Sequence, residues 1–418
     1  MRLQSVIKSC SVAATVISFG SNGILEPYVH PLTPQERAAE AVNRYMVRYG
    51  IPGMSIGVSI NGQKVWATGF GYSDVEQGVP CSGDTVMRIA SVSKPITATI
   101  AAKLIEEGKF DIDLPVNHYL PDMPKLLHIG VEQTITSRQL LSHTSGIRHY
   151  IKSGETNEEK LSPEEREAAL AEMQSTKEYP TVTDSLEMFI HDPLLVKPGS
   201  KMVYSTHGFT LLSAVIEKIA DQKLPVLFQK MFKELGMNST CLDKNECIIP
   251  YRARYYRRDK RHRLVNCPEV NNSCKWAGGG ILSNVHDLLR FANVILYSFQ
   301  SDDHSKPAPY LKSATMQKVW RGEQNTGREE KPLYCLGWDK ADYTERYGGS
   351  DASTVRSGFW GHSGGAVGAS SYLLVKPTEK TKEATASGVC VAILVNMESV
   401  AVRELALEIA EIFCENLE

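Results

Sequence analysis

Apolar residues at Ile56, Val58 and Ile60 alternate with small or polar ones, then meet Asn61-Gly62, and alternation resumes across 63–68. Period two broken by Asn-Gly predicts a two-residue β-hairpin. Ahead of it, Thr33-Pro34-Gln35-Glu36 predicts a helix start, with Thr33 as cap, Pro34 in the first helical position and Glu36 closing a capping box. Further on, an apolar, strand-like run meets an amphipathic helix predicted over about 91–107. Ile96, Ile100 and Leu104 are its inward stripe, Pro95 sits in its first turn and Gly108 stops it. Pro198-Gly199 marks a turn before a helix whose apolar face is Leu212, Val215, Ile216 and Ile219. The chain closes with strands near 369–375 and 388–396 and a helix facing inward through Leu405, Ile409, Ile412 and Phe413.

Strands come early and late, and helices fill the middle. That order predicts an α+β fold, an antiparallel sheet flanked by helices with a helical domain inserted. The predicted division is a body from 30–112 plus 268–418 and a mostly helical unit from 113–267, after a segment 1–29 treated separately.

Two stretches look added. Residues 151–185 are rich in glutamate, and Ser162-Pro163-Glu164-Glu165 is a second capping box, predicting a short exposed helix over about 163–175. A solvated insertion is the expected reading, with a cover over a site or an assembly contact as the functional alternative. Residues 300–333 are polar and punctuated by Pro and Gly, and read as a long loop.

The 418 residues are 42% hydrophobic and 22% charged, with a formal net charge of −2. These values suit a globular chain of two or three domain equivalents and carry no global bias toward nucleic acid. The basic run 252–263, RARYYRRDKRHR, reads as a hairpin with Asp259-Lys260 at its tip rather than as a nucleic-acid patch. Nine cysteines show no CxxC spacing and an odd count, which disfavours disulfide stapling. Eleven histidines form no HExxH, so no metal and no cofactor is expected. Residues 1–25 hold Arg2, Lys8 and several serines and no acid, with an apolar run too short to span a bilayer. A mitochondrial presequence is the favoured reading, with a secretory signal and a plain tail as alternatives.

Ser91-Val92-Ser93-Lys94 carries the first candidate chemistry. Residues three apart at a helix start share a face, which places an amine beside a hydroxyl and can make serine nucleophilic. The free N–H groups of that helix start suit a developing oxyanion. Taken alone, the motif more often describes a capping serine and a surface lysine, and the two further motifs reverse that balance. Tyr204-Ser205-Thr206 lies on the loop entering a helix, where a packing tyrosine is the bland alternative. His362-Ser363-Gly364-Gly365 offers backbone that a ligand can approach closely, or an ordinary glycine turn before a strand.

The three motifs in this order resemble the serine beta-lactamase and penicillin-binding-protein superfamily, in its class C and DD-peptidase branch, which reads SxxK, YxN, then KTG or HxG. ITSRQLLSHTSGI at 135–147 and WAGGGILSNVHDLLRFANVIL at 276–296 resemble flanking segments of the same branch, and the likeness runs from about residue 36 to the C-terminus. Within it, VYSTHGFTLL, RLVNCPEVNNSCKWAGGG, HSGGAVGASSYLL and LVNMESV are most similar to its eukaryotic mitochondrial members.

The resemblance implies an acyl-enzyme on Ser91, with Lys94 and Tyr204 as the pair that moves the proton, the base between them being undecided. It implies an oxyanion hole from the N–H groups of Ser91 and Gly365, with Ser363, His362 and Thr206 on the substrate side. Two positions depart from the pattern. Thr206 replaces the Asn of YxN, and His362 replaces the Lys of KTG, so a permanent cation becomes one expected to titrate near pH 6.5. Both departures disfavour efficient turnover of beta-lactams and leave peptidase, amidase or esterase chemistry open. The resemblance also implies a mitochondrial protein, as a homo-oligomer or as filaments that organise mitochondrial membranes and affect lipid metabolism. No transmembrane span and no nucleic-acid partner are expected, and peripheral membrane association stays open.

Overall fold

In a computed structural model of the chain, the residues described are 31–415, apart from 156–157, 303, 327–332, 342–345, 348–352, 355–357 and 380–385. The segment 1–29, read as a targeting segment or a plain tail, lies outside them.

An eight-stranded antiparallel sheet organises the molecule. Its order from edge to edge is Leu333–Tyr334, Asp339–Ala341, Phe359–Ala366, Ala369–Pro377, Gly388–Val395, Gly53–Ile60, Gln63–Asp74 and Val79–Pro80. The expected hairpin is present, and both turn residues take positive φ, 49° at Asn61 and 80° at Gly62, which twists the turn with its strands. The last strand of the chain pairs with the first, Ile393 opposite Ile56 and Val391 opposite Val58, so both chain ends close one sheet.

Side-chain alternation splits the sheet into two apolar layers. On one face Ile56, Val58, Leu374, Val391 and Ile393 pack with Ala38 and Val42 of the helix Pro34–Tyr49 and with Leu405 and Ile409 of the helix Arg403–Cys414. On the other, Leu373, Val375, Ala392 and Leu394 join Leu288, Leu289 and Ala292 of the helix Val285–Gln300 and Ile96 and Ile100 of the helix Ser93–Glu106. Gly57 permits that second contact, since a Cβ there would stand 2.8 Å from Leu289 Cδ1.

Three expectations change. The helix after Ser91 is not amphipathic: every residue from Ser93 through Ala102 is buried, because the sheet lies on one side and the helix Thr206–Ala220 and the short helix Trp276–Gly279 on others. Its polar residues are satisfied internally, Thr97 Oγ1 donating to the Ala277 carbonyl at 2.7 Å and Thr99 Oγ1 to the Pro95 carbonyl at 2.9 Å. The stretch 300–333 is not one long loop, for it contains the helix Ser313–Val319, and Trp320 behind it is 2% exposed. The insertion helix forms over Pro163–Met173 behind its capping box, yet its end is not solvated. The basic run forms the expected hairpin, Tyr256–Arg258 with Leu264–Asn266, and three of its arginines pair with carboxylates of the same chain: Arg252 with Asp243, Arg254 with Asp74 and Arg263 with Asp259.

Candidate active site

Ser91 sits in a 3-10 turn, Ala90–Val92, that leads directly into the helix Ser93–Glu106. Ala90 takes φ 49°, a left-handed conformation that a non-glycine residue adopts at a cost of about 1 kcal/mol or more. Packing holds it there: Ser93 Oγ donates to the Ala90 carbonyl at 2.7 Å, and Ser371 Oγ donates to the Ile89 carbonyl at 2.7 Å. Gly364 completes the clamp. A Cβ at Gly364 would lie 2.1 Å from Ser371 Oγ and 2.4 Å from the Ile89 carbonyl oxygen, so only glycine lets the strand Phe359–Ala366 approach the Ser91 turn.

One turn on, Lys94 is 0% exposed. Its Nζ lies 3.0 Å from Ser91 Oγ, 2.7 Å from the Gly278 carbonyl oxygen and 3.3 Å from Thr206 Oγ1. The nitrogen also stands 4.8 Å from the centre of the Tyr204 ring. Burial, and then the charge of Lys275, hold Lys94 well below the ordinary lysine range, with Asp339 opposing. Tyr204 hydrogen-bonds Ser91, but burial outweighs that bond and pushes its phenol above the ordinary value. Burial thus favours the neutral form of both partners, a phenol beside an amine. Gly278 can only accept a hydrogen bond and Thr206 accepts another, which leaves the amine lone pair for the Ser91 hydroxyl.

A cavity of about 200 Å³ opens over these groups. Ser91, Tyr204, Thr206, Ser363 and Gly365 all line it, so the structure brings together most of the residues singled out from the sequence. The strand carrying Ser363 and Gly365 pairs with Ala369–Pro377 on one edge, while on its other edge the strand Asp339–Ala341 reaches only to Gly361. Beyond Gly361 no described strand covers that second edge.

Lys94 lies beneath the lining, within reach of Ser91, whereas His362 stands apart. It is 1% exposed and is not among the lining residues. Burial, reinforced by Lys94, pushes its imidazole down to about 3, correcting the expectation that it titrates near 6.5. It belongs instead to a buried chain of hydrogen bonds with one consistent direction. The Ser205 N–H donates to His143 Nδ1 at 3.2 Å, so His143 carries its proton on Nε2, 3.1 Å from the Tyr334 hydroxyl. The Tyr334 hydroxyl donates to His362 Nε2 at 2.9 Å, and His362 Nδ1 donates to the Ser363 carbonyl at 2.6 Å. Through three side chains the loop bearing Tyr204 is tied to the strand bearing Gly365.

Sequence reasoning missed several members. Lys275 lines the cavity and is 8% exposed, and its ammonium has only the Tyr150 hydroxyl, at 3.3 Å, as a hydrogen-bond partner among the described residues. Burial opposes its charge, but Tyr150 and Cys274 outweigh it, and the ammonium persists. His149 also lines the cavity, its Nδ1 accepting from the Thr206 N–H at 3.3 Å, and burial holds it well below its ordinary value. Met173, from the inserted segment, forms another part of the wall. No spacing pattern marks these residues, because they meet only through folding. No group of His, Cys, Asp or Glu suited to a metal ion occurs among the described residues.

The model of the Beta-lactamase family matches residues 38–412. The chain is 38% identical to the serine beta-lactamase-like protein LACTB, mitochondrial, of Mus musculus, over 90% of this chain and 79% of that protein, and the Homo sapiens protein matches equally well. Among solved structures, a D-stereospecific amidohydrolase from Streptomyces sp. superposes with TM-score 0.67 at 23% identity, covering 90% of this chain and 98% of the other. A D-amino acid amidase from Ochrobactrum anthropi superposes with TM-score 0.68 at 19% identity, covering 92% and 99%. At those identities the structures bear on the fold alone.

Proposed function

The chain belongs to the beta-lactamase family, and from that premise we propose that it is a serine hydrolase acting on a peptide, amide or ester through an acyl-enzyme on Ser91. The observation that carries this reading is Lys94, fully buried with its amine 3.0 Å from Ser91 Oγ.

The amine takes the Ser91 proton as Oγ attacks the substrate carbonyl. The resulting oxyanion is received by the N–H groups of Ser91 and Gly365; losing one such donor costs about 3 kcal/mol of transition-state stabilisation. As the carbonyl re-forms, the departing nitrogen or oxygen takes a proton from the Tyr204 hydroxyl, which Lys94 replenishes. Water then attacks the acyl group, its proton passes back through the same pair, and Ser91 leaves with its hydrogen restored. Lys94 is the base in this scheme because the same burial that favours its neutral form disfavours a tyrosinate.

His362 in its neutral, enclosed state supplies no cation to a beta-lactam carboxylate, and Thr206 supplies no amide, so weak or absent beta-lactamase activity is part of the proposal. Lys275 is the cation that does face the cavity, and it favours substrates with an anionic group beside the scissile bond. Mitochondrial residence is proposed from the relatives' names together with the presequence-like composition of 1–25. Self-assembly into filaments, with effects on membranes and lipid metabolism, is kept as a separate property that does not use Ser91.

A fluorophosphonate probe with peptide mapping tests the nucleophile. Labelling at Ser91 that Ser91→Ala abolishes is the expected result. A silent, folded wild-type protein would favour a structural role instead.

A further inference from the structure

The inserted helix Pro163–Met173 has no buried residue, and its sequence is that of a solvated surface helix. Its last turn is nonetheless anchored. Glu172 Oε1 accepts from His207 Nε2 at 2.6 Å and from Arg148 Nη1 at 3.0 Å. Both partners are buried, and together they outweigh the penalty of enclosing the carboxylate, which stays ionised. Arg148 is itself fixed by Asp192 at 2.6 Å and by the Met188 carbonyl at 2.7 Å, and its own carbonyl accepts from Ser205 Oγ at 2.6 Å. The anchor of the insertion and the loop bearing Tyr204 thus share one arginine.

The chain is held again just past the helix. The Asn271 N–H donates to the Ser175 carbonyl at 2.9 Å, and the Tyr179 N–H donates to Ser273 Oγ at 2.8 Å. Met173 lies between the Glu172 anchor and the Ser175 tie and is part of the cavity lining, to which Ala366 and Val367 also contribute apolar groups. An unbranched thioether fills a gap without presenting polarity, so this wall suits an apolar substituent and limits its length.

Resting on the Ser91 reaction proposed above, we propose that Met173 is a specificity-determining residue, an apolar stop delivered by the insertion and held in place by Glu172 and Arg148. Substrates whose apolar group reaches this wall are selected by size. A methylene in a hydrophobic pocket changes selection by roughly 10-fold or more.

The test compares p-nitrophenyl octanoate with p-nitrophenyl acetate for the acyl side, and octyl with ethyl acetate for the leaving side, as ratios of kcat/KM. Met173→Ala should raise the long-to-short ratio in one series by about tenfold, and Met173→Phe should lower it in the same series. Glu172→Ala, which frees the anchor, should flatten the ratio toward that of Met173→Ala. Should Met173→Ala not fold, as read by its thermal midpoint, the opposite shift in Met173→Phe carries the test. Ratios unmoved in both series, with turnover still dependent on Ser91, overturn this inference alone. Turnover surviving Ser91→Ala overturns the nucleophile itself.

Discussion

The Tyr334 hydroxyl meets His362 Nε2 at 2.9 Å, and because the Ser363 carbonyl takes the Nδ1 proton and burial and Lys94 keep the ring neutral, Tyr334 is the donor of that contact. A ring that accepts on Nε2 and donates from Nδ1 to the Ser363 carbonyl has no room for a second proton. His362 therefore acts as a neutral strut between the Tyr204 loop and the Gly365 strand. Tyr334→Phe should remove the strut, leaving His143 and His362 each short of a partner. The expected loss is about 1–3 kcal/mol for each polar atom left buried and unpaired, together with a fall in kcat larger than any change in KM. Urea unfolding and ester kinetics on one preparation check both parts.

The same burial makes stability depend on pH. His362 is pushed down from 6.5 to about 3, and His143 and His149 are held well below 6.5. Below pH 6.5 the unfolded chain binds protons that these folded residues refuse. Their contribution is fully present above 6.5 and is lost as pH falls, by up to about 1.4 kcal/mol per pH unit for each histidine. Urea midpoints should drop steadily from about pH 6.5 toward pH 4.5, and His362→Asn should make the drop shallower. A midpoint flat across that window would show that these rings are already protonated in the fold.

Much of this fold was legible because its signals are local. The Thr33 and Ser162 capping boxes, the Asn61-Gly62 turn and the period-two strands each need only a few neighbouring residues, and all are present. Ser91, Lys94 and Tyr204 were legible as candidates because two of them are one helical turn apart and the third opens a recognisable helix. Lys275, Tyr334 and Met173 were not, since each reaches the site or its support across long sequence separations and carries no motif. The amphipathic reading of the helix after Ser91 failed for a related reason: polar Thr97 and Lys94 look solvent-directed until their buried acceptors, Ala277 and Gly278, are in place.

If the stretch 151–185 were only a solvated insertion, removal of 155–176 would spare the site. The contacts of Glu172 and Met173 reverse that expectation. The deletion leaves Arg148 and His207 without their carboxylate and opens the cavity wall, so fluorophosphonate labelling of Ser91 should slow by at least about tenfold in a folded variant. Labelling at the wild-type rate would show that the insertion is independent of the site.

Gly364→Ala tests the clamp on the Ser91 turn. The added methyl would meet the Ile89 carbonyl oxygen at 2.4 Å, and that atom is backbone that must shift. Overpacking of this kind costs about 1–3 kcal/mol. Because the displaced strand carries Gly365, kcat/KM should fall by about a hundredfold, the scale of one lost oxyanion donor. A Gly364→Ala variant with wild-type kcat/KM and an unchanged urea midpoint would refute the clamp.

With Lys94 as the proposed base, the acid side of the rate profile should follow its protonation. Its ordinary value of 10.5 is lowered by burial first and by Lys275 second. A base must be neutral to accept the Ser91 proton, so kcat/KM should fall as pH drops through the lowered value and hold above it. Lys275→Met removes the second cause, which raises Lys94 and moves the acid limb of the profile to higher pH. The same variant should weaken an anionic substrate more than a neutral one, by about 1.5–3 kcal/mol for a lost charged hydrogen bond. Lys94→Met should abolish turnover at every pH, with Ser91 left without a base. Profiles of wild-type and Lys275→Met protein on a neutral ester separate the two effects of Lys275. An acid limb that stays in place in Lys275→Met would show that another group controls the proton on Ser91.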